Sequence, residues 1–300
     1  MRTSRSSVVR TKEEIPLLLR AHARTMDLSL RLLPRSLREP LGLAYLLARA
    51  SDTIADSGSM PREERVAWLE GIHAALGAEQ TGALCTAKIP EAFSPAEREL
   101  IDSLPGLFAL LGECPDREEL VTLWREILEG QLFDLRRFTP GSAPLDHAEL
   151  ERYCDLVAGS VGRCWTQLIA RHAPGALLAP APGLLPLATD YGKGLQLLNI
   201  LRDRETDHAL GRHYVVAAEV PRQLELTRGW LAAGKQYLRG VAPGRILMAT
   251  ALPLDLAMAT LPLIATAPAG TRAKLTRSAV RRILVAGLLS LVLPRRADPA

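Results

Sequence analysis

The run from Gly194 to Gly211, GLQLLNILRDRETDHALG, constrains the fold more than any other stretch. Set on a helix at about 100° per residue, Gln196, Asn199, Asp203 and Asp207 fall within roughly 80° of one another. Leu195, Leu197, Leu198, Ile200 and Leu201 spread around the rest of the circumference. A helix that is apolar nearly all round belongs in a protein interior, so the polar stripe at Gln196 and Asn199 is not an ordinary solvated face. After Leu201 the run turns polar on every side, with Arg202, Arg204, Glu205 and His208. The pattern predicts a helix leading from a buried core to a cavity mouth, with carboxylates at the mouth.

A second stretch repeats the design. In Tyr45 to Asp56, YLLARASDTIAD, the residues Tyr45, Arg49, Asp52 and Asp56 share a sector of roughly 60°. Leu46, Leu47, Ala48, Ala50, Ile54 and Ala55 leave the other faces mostly apolar. An unpaired buried carboxylate is costly enough that it shifts its pKa, pairs or binds metal. One Asp pair alone reads more simply as a solvated or salt-bridged face. Two such pairs on otherwise apolar helices, facing one space, favour a cation site. Mg²⁺ suits it, because that ion takes oxygen ligands, keeps several waters and is shared between one or two carboxylates and substrate phosphates. Such a site would neutralise a diphosphate as it leaves. Arg24, Arg49 and either Arg202 or Arg212 are candidate guanidinium forks for the remaining phosphate oxygens.

Composition supports helices. Of 300 residues 48% are hydrophobic and only 4% aromatic, which disfavours the pleated surfaces that β-branched and aromatic residues fit. No strand pattern, fixed-period repeat or composition break appears. The expectation is a loose N-terminus over residues 1–11, one all-helical domain over 12–294 and a short tail over 295–300. Asp116 opens one long helix and Asp146 another through His172. Ser94, followed by Pro95 and Glu97, caps a helix through Leu111. Residues 173–186 read as a connection. Gly159, Gly162 and Gly130 read first as places of close helix packing. Gly192-x-Gly194 is no dinucleotide fingerprint, since it follows no strand and lacks the third glycine. A nicotinamide cofactor would therefore bind without a Rossmann unit.

A net charge of +4, with no basic run interleaved with aromatics, points away from nucleic acid and is compatible with anionic phosphates or lipid headgroups. Cys85, Cys114, Cys154 and Cys164 show no C-x-x-C spacing and read as reduced, mostly buried thiols of a cytoplasmic protein. Ile15 to Leu19 is too short for a signal-peptide core. Ile246 to Ala267 is long enough to span a membrane, but Pro253, Asp255 and Pro262 make it a core helix. Ile283 to Leu293 is too short to span and reads as a core or interfacial helix. The expected location is cytoplasmic, soluble or peripheral on the inner face of the membrane.

At these residues the chain resembles the squalene/phytoene synthase family, the head-to-head prenyl transferases. The resemblance rests on Asp52-Thr53-Ile54-Ala55-Asp56, on Tyr153-Cys154-x-x-Val157-Ala158-Gly159-x-Val161-Gly162, and on Gln196-x-x-Asn199-Ile200-Leu201-Arg202-Asp203-x-x-x-Asp207. Gly211-Arg212-x-Tyr214 and Ala23-Arg24-Thr25 add to it, in the expected order over roughly residues 22–214. It implies an all-α isoprenoid synthase fold with helices around a central cavity. Asp52, Asp56, Asn199, Asp203 and Asp207 would bind Mg²⁺ and diphosphate, Arg24, Arg49 and Arg212 would contact phosphates, and Tyr45, Tyr153 and Gln196 would line the reaction centre. Two farnesyl diphosphates would condense to a cyclopropyl (presqualene) diphosphate, which squalene synthases then rearrange and reduce with NADPH. The D-T-x-x-D form of the first motif, together with Gly130-Gln131-x-x-Asp134-Leu135, is similar to bacterial squalene synthases. The alternatives are a presqualene diphosphate, dehydrosqualene or phytoene synthase that uses no reductant. From another class comes a non-catalytic helical assembly or binding factor.

Overall fold

Among the described residues, Leu/Ala-rich runs punctuated by Gly and Pro form helices. A computed structural model describes residues 11, 14–22, 24–77, 93–268 and 271–292, leaving the expectations for residues 1–10, Cys85 and the 295–300 tail outside the described residues. The helices are α1 (Ile15–His22), α2 (Arg24–Leu32), α3 (Arg35–Ala55), α4 (Arg62–Gly77), α5 (Pro95–Asp102), α6 (Leu104–Gly112), α7 (Arg117–Arg137), α8 (His147–Cys154), α9 (Ser160–His172), α10 (Ala181–Ala209), α11 (Val220–Arg239), α12 (Arg245–Thr266) and α13 (Arg277–Val292). Among the described residues there is no strand, only an isolated bridge between Leu177 and Val241. The fold is all-α. Two compact units share the chain, one of Met1–Leu30 with Arg35–Arg137, the other of Arg31–Pro34 with Phe138–Ala300.

In the first unit α3 is the central helix, packed by α1, α4, α5, α6 and α7. Leu37, Leu46, Leu47, Ala50 and Ile54 of α3 are fully buried there. Trp124 of α7 lies against Phe108 at 4.8 Å between ring centroids and donates from Nε1 to Ser51 Oγ at 3.2 Å. That bond satisfies a buried indole N–H and fixes the rotation of α3 about its axis. Arg65 of α4 donates to the Ala55 carbonyl at 2.8 Å, satisfying one of the open acceptors at the end of α3.

Two of the expected N-caps are full capping boxes. The side chains of Ser94 and Asp146 accept from the Glu97 and Glu149 amides, and each glutamate reaches back to its cap. Replacing Asp146 by Ala should cost about 1 kcal/mol, seen as a lower urea midpoint with an unchanged m-value. The helix begun by Ser94 does not run unbroken to Leu111. It divides at Ser103, because Pro105 has no N–H to give the Ile101 carbonyl.

In the second unit α10 is the hub. Over 29 residues it packs against α8, α9, α11 and α12. It begins at Ala181, inside the stretch expected to be a connection, because Pro182 sits in the first turn where a missing N–H costs nothing. The segment from Asp146 to His172 is likewise not one regular helix. Between α8 and α9 lies a π-helical turn, Asp155–Gly159. There the backbones nearly touch: a Cβ on Gly162 would come within 2.1 Å of the Ala188 carbonyl oxygen, and one on Gly192 within 2.1 Å of that of Ala158. The pairing of 162 with 188 and 158 with 192 makes the two segments antiparallel. Close helix packing is therefore what Gly162 and Gly192 supply. Gly159 leaves room for the Asp155 carboxylate, which receives Arg163 at 2.6 Å.

A buried cation sits in the same helix. Lys193 pairs with Glu151 of α8 at 2.8 Å and Asp190 at 2.9 Å, and lies 4.4 Å from the centre of the Trp230 ring. Burial alone would depress its pKa, but the two carboxylates outweigh that and hold it above its usual value. Among the described residues α12 is the one helix long and apolar enough to cross a membrane, and half of it is buried within the protein. Met248, Leu252, Leu254 and Leu261 supply that buried side, while Asp255 is exposed.

Candidate active site

The site residues on α3 stand on the side of the helix not locked into the core. Tyr45, Arg49 and Asp52 are half-buried and Asp56 is exposed just beyond the last turn. Their neighbours Ser51, Thr53, Ile54 and Ala55 are buried. Tyr45 donates its hydroxyl to the His22 carbonyl at 3.1 Å, and Arg49 Nη1 meets Asp52 Oδ2 at 2.5 Å. Burial holds the His22 imidazole below its usual pKa. The helix ends at Ala55 with no basic residue in its last turn, so two carboxylates crowd the negative end of a helix dipole. Local physics disfavours that placement unless cations join it, as Arg49 does at Asp52 and Arg65 does at the Ala55 carbonyl. Arg24 opens α2, and its side chain lies outside the described residues.

On α10 the stripe emerges as the wheel predicts. Leu197, Leu198, Ile200 and Leu201 are buried, and Gln196, Asn199, Asp203 and Asp207 are half-exposed along one side. Asp203 is the most engaged. Arg202 holds it at 2.6 Å, and Arg272, from the segment before α13, reaches it at 2.5 Å. Burial pushes its carboxyl upward, but the two guanidiniums outweigh this and keep it below the usual carboxylate range. Asp207 stands in the last turn of the helix, its carbonyl accepting the Arg212 amide at 2.8 Å across Gly211, whose φ of 78° is a conformation that favours glycine.

Tyr153, the last-but-one residue of α8, stacks on Tyr214 with centroids 5.1 Å apart, and the Tyr214 hydroxyl donates to its own at 3.3 Å. Phe138 meets Tyr214 edge-on at 4.9 Å. The chain just past Arg212 thus grips Tyr153. Beside the end of α10 opens a cleft of about 410 Å³ lined by Arg204, Glu205, His208 and His213, among others, with the two imidazoles 4.4 Å apart. Sequence reasoning missed two of these contacts, Arg272 with Asp203 and Tyr214 with Tyr153. Arg272 lies too far along the chain for any spacing to signal its contact with Asp203, whereas Tyr214 was visible only through its place after Gly211-Arg212.

The donor set suits one class of metal. Among the described residues no group of three or more His, Cys, Asp or Glu is arranged to hold an ion by itself. Carboxylates one turn apart on each helix instead offer one or two oxygens, as Mg²⁺ requires when phosphates and water complete its shell. The residues therefore fit Mg²⁺ delivered with a diphosphate. Among the described residues there is no strand–turn–helix phosphate cradle, so a nicotinamide cofactor would have to be held without one.

Comparison with solved structures gives the fold. The chain superposes on TcSQS in complex with a ligand with a TM-score of 0.70, covering 96% of this chain and 93% of that one at 21% identity. It matches a squalene synthase from Alicyclobacillus acidocaldarius with a TM-score of 0.58, covering 85% and 92% at 20% identity. The all-α fold is thus that of squalene synthases. The sequence profile of squalene/phytoene synthase matches residues 19–220, and the chain belongs to that family. Presqualene diphosphate synthase of Rhodopseudomonas palustris is 34% identical over 189 residues, 62% of this chain and 56% of that protein. The enzyme of the same name from Zymomonas mobilis is 30% identical over 200 residues, 65% and 57% of the two chains. A bifunctional lycopene cyclase/phytoene synthase from Colletotrichum graminicola is 30% identical over 201 residues, 64% of this chain and 32% of that one. The matched region spans little more than half the length of the two presqualene diphosphate synthases.

Proposed function

We propose that this protein is a prenyl transferase that joins two molecules of farnesyl diphosphate head to head and forms presqualene diphosphate. The observation that carries the proposal is the repeated placement of two aspartates, one turn apart, towards the C-terminal ends of α3 and α10, where the helix dipole alone disfavours them. The names of the Rhodopseudomonas palustris and Zymomonas mobilis relatives support the same product.

In this reading Asp52, Asp56, Asp203 and Asp207, with Asn199, hold Mg²⁺. When bound, the ion supplies Lewis-acid neutralisation of the departing diphosphate. Arg49 and Arg212, with Arg24, bind phosphate oxygens as forks. The C1–O bond of one substrate breaks, its diphosphate leaves with the electron pair, and the double bond of the other attacks the allylic cation. Loss of a proton closes the cyclopropane, and Tyr153, oriented by Tyr214, is the candidate acceptor, with Tyr45 and Gln196 lining the reacting carbons.

Reduction to squalene with NADPH is the further half of the reaction in the squalene-forming reading, which the D-T-x-x-D motif favours. Product analysis separates the two. With farnesyl diphosphate and Mg²⁺ alone, presqualene diphosphate should accumulate. Adding deuterated NADPH gives labelled squalene if the second half is present and leaves presqualene diphosphate if the chain stops there. Phytoene-type or dehydrosqualene products, the same with and without reductant, would overturn the proposal. A folded protein that binds no diphosphate analogue with Mg²⁺ would instead be a binding factor. The proposed location is cytoplasmic, with peripheral contact at the inner face of the membrane, where the long prenyl chains of substrate and product would partition.

A further inference from the structure

The last described helix, α13, is built unlike the others. Its inner side, Val280, Ile283, Leu284 and Gly287, is half-buried, and a Cβ on Gly287 would touch Met248 of α12 at 3.4 Å, so this side is packed. Its outer side is not. Val285, Leu288 and Leu289 are about half exposed, the largest cluster of exposed apolar side chains on any one described helix. Arg281 shares a face with Val285 and Leu288 at i, i+4 and i+7, and Arg282 stands at i and i+7 to Leu289. Water is a poor neighbour for three large apolar side chains in one patch.

Charge decides what covers them. From Thr271 to Val292 there are five cations and no Asp or Glu. Arg272 is drawn to Asp203, but Lys274, Arg277, Arg281 and Arg282 are exposed and meet no carboxylate among the described residues. A helix with cations in its first turns and bare Leu and Val in its last is matched by an anionic headgroup layer over acyl chains. A second copy of the same face would bring no carboxylate from this segment to answer these cations. We propose that the outer face of α13 is a membrane-docking surface for anionic phospholipid, with Val285, Leu288 and Leu289 below the headgroups and Arg281 and Arg282 among the phosphates. The same segment carries Arg272 to Asp203, so docking adjoins the candidate site. This deepens the peripheral contact proposed above by naming the surface and the lipid class.

Cosedimentation of the full chain with vesicles tests it without any substrate. Wild-type protein should bind phosphatidylcholine vesicles doped with phosphatidylserine and lose that binding as salt rises, while pure phosphatidylcholine binds it weakly. Arg281→Glu with Arg282→Glu, and separately Val285→Ser with Leu288→Ser and Leu289→Ser, should each weaken binding by about tenfold or more. Both sets lie on the surface, so melting curves and turnover of farnesyl diphosphate in solution should match wild type. Turnover lost in wild type, with vesicle binding retained, would count against the reaction and not against this surface. Equal binding by wild type and both variants, binding indifferent to lipid charge, or a dimer that the serine variant dissolves would overturn the docking surface.

Discussion

Asp52→Asn and Asp203→Asn are each expected to lower Mg²⁺-dependent turnover of farnesyl diphosphate by about a thousandfold. Each change keeps the side-chain volume and removes the charge that holds the ion. Folding should hardly respond. Asp52 loses one half-exposed pairing with Arg49, and Asp203 loses Arg202 and Arg272 near the surface, changes within about 1 kcal/mol. Steady-state kinetics with a circular-dichroism melt on the same samples separates the two effects. A variant that keeps most of its turnover, or one that unfolds, would remove that aspartate from the metal assignment.

Gly162→Ala and Gly192→Ala should be the most destabilising single substitutions in the second unit. Each new Cβ would meet a backbone carbonyl oxygen at 2.1 Å, and no rotamer can relieve a clash with backbone. The helices must part, which costs about 3 kcal/mol or more in lost packing. Gly229→Ala is the contrast. Its Cβ would meet nothing within 4 Å in the middle of α11, so helix propensity should raise stability by up to about 1 kcal/mol. Urea unfolding of the three variants measures this directly. A Gly162→Ala protein as stable as wild type would mean that the segments do not cross there.

Much of this arrangement was legible in the chain itself, for physical reasons. The all-α class follows from Leu and Ala at helical spacing, and the stripe on α10 emerged because four polar residues shared one sector of an otherwise apolar wheel. The starts at Ser94 and Asp146 were readable because capping is local chemistry. What escaped was whatever depends on backbone approach or distant partners. The π turn at Asp155–Gly159 has no periodic signature, and a Pro-containing first turn hid the start of α10. The bonds from Arg272 to Asp203 and from Tyr214 to Tyr153 join residues 69 and 61 positions apart, which no spacing rule reaches. Lys193, amid a buried run, is explained only by Glu151, Asp190 and Trp230 around it.

The most direct test of the proposed chemistry is diphosphate release from farnesyl diphosphate by the purified wild-type chain, with Mg²⁺ and with the ion chelated. The expected result is release that requires Mg²⁺, with one diphosphate freed for each presqualene diphosphate formed when no reductant is present. A well-folded protein that frees no diphosphate at any Mg²⁺ concentration, or frees it equally in chelator, would contradict the assignment of the aspartate pairs and of the reaction.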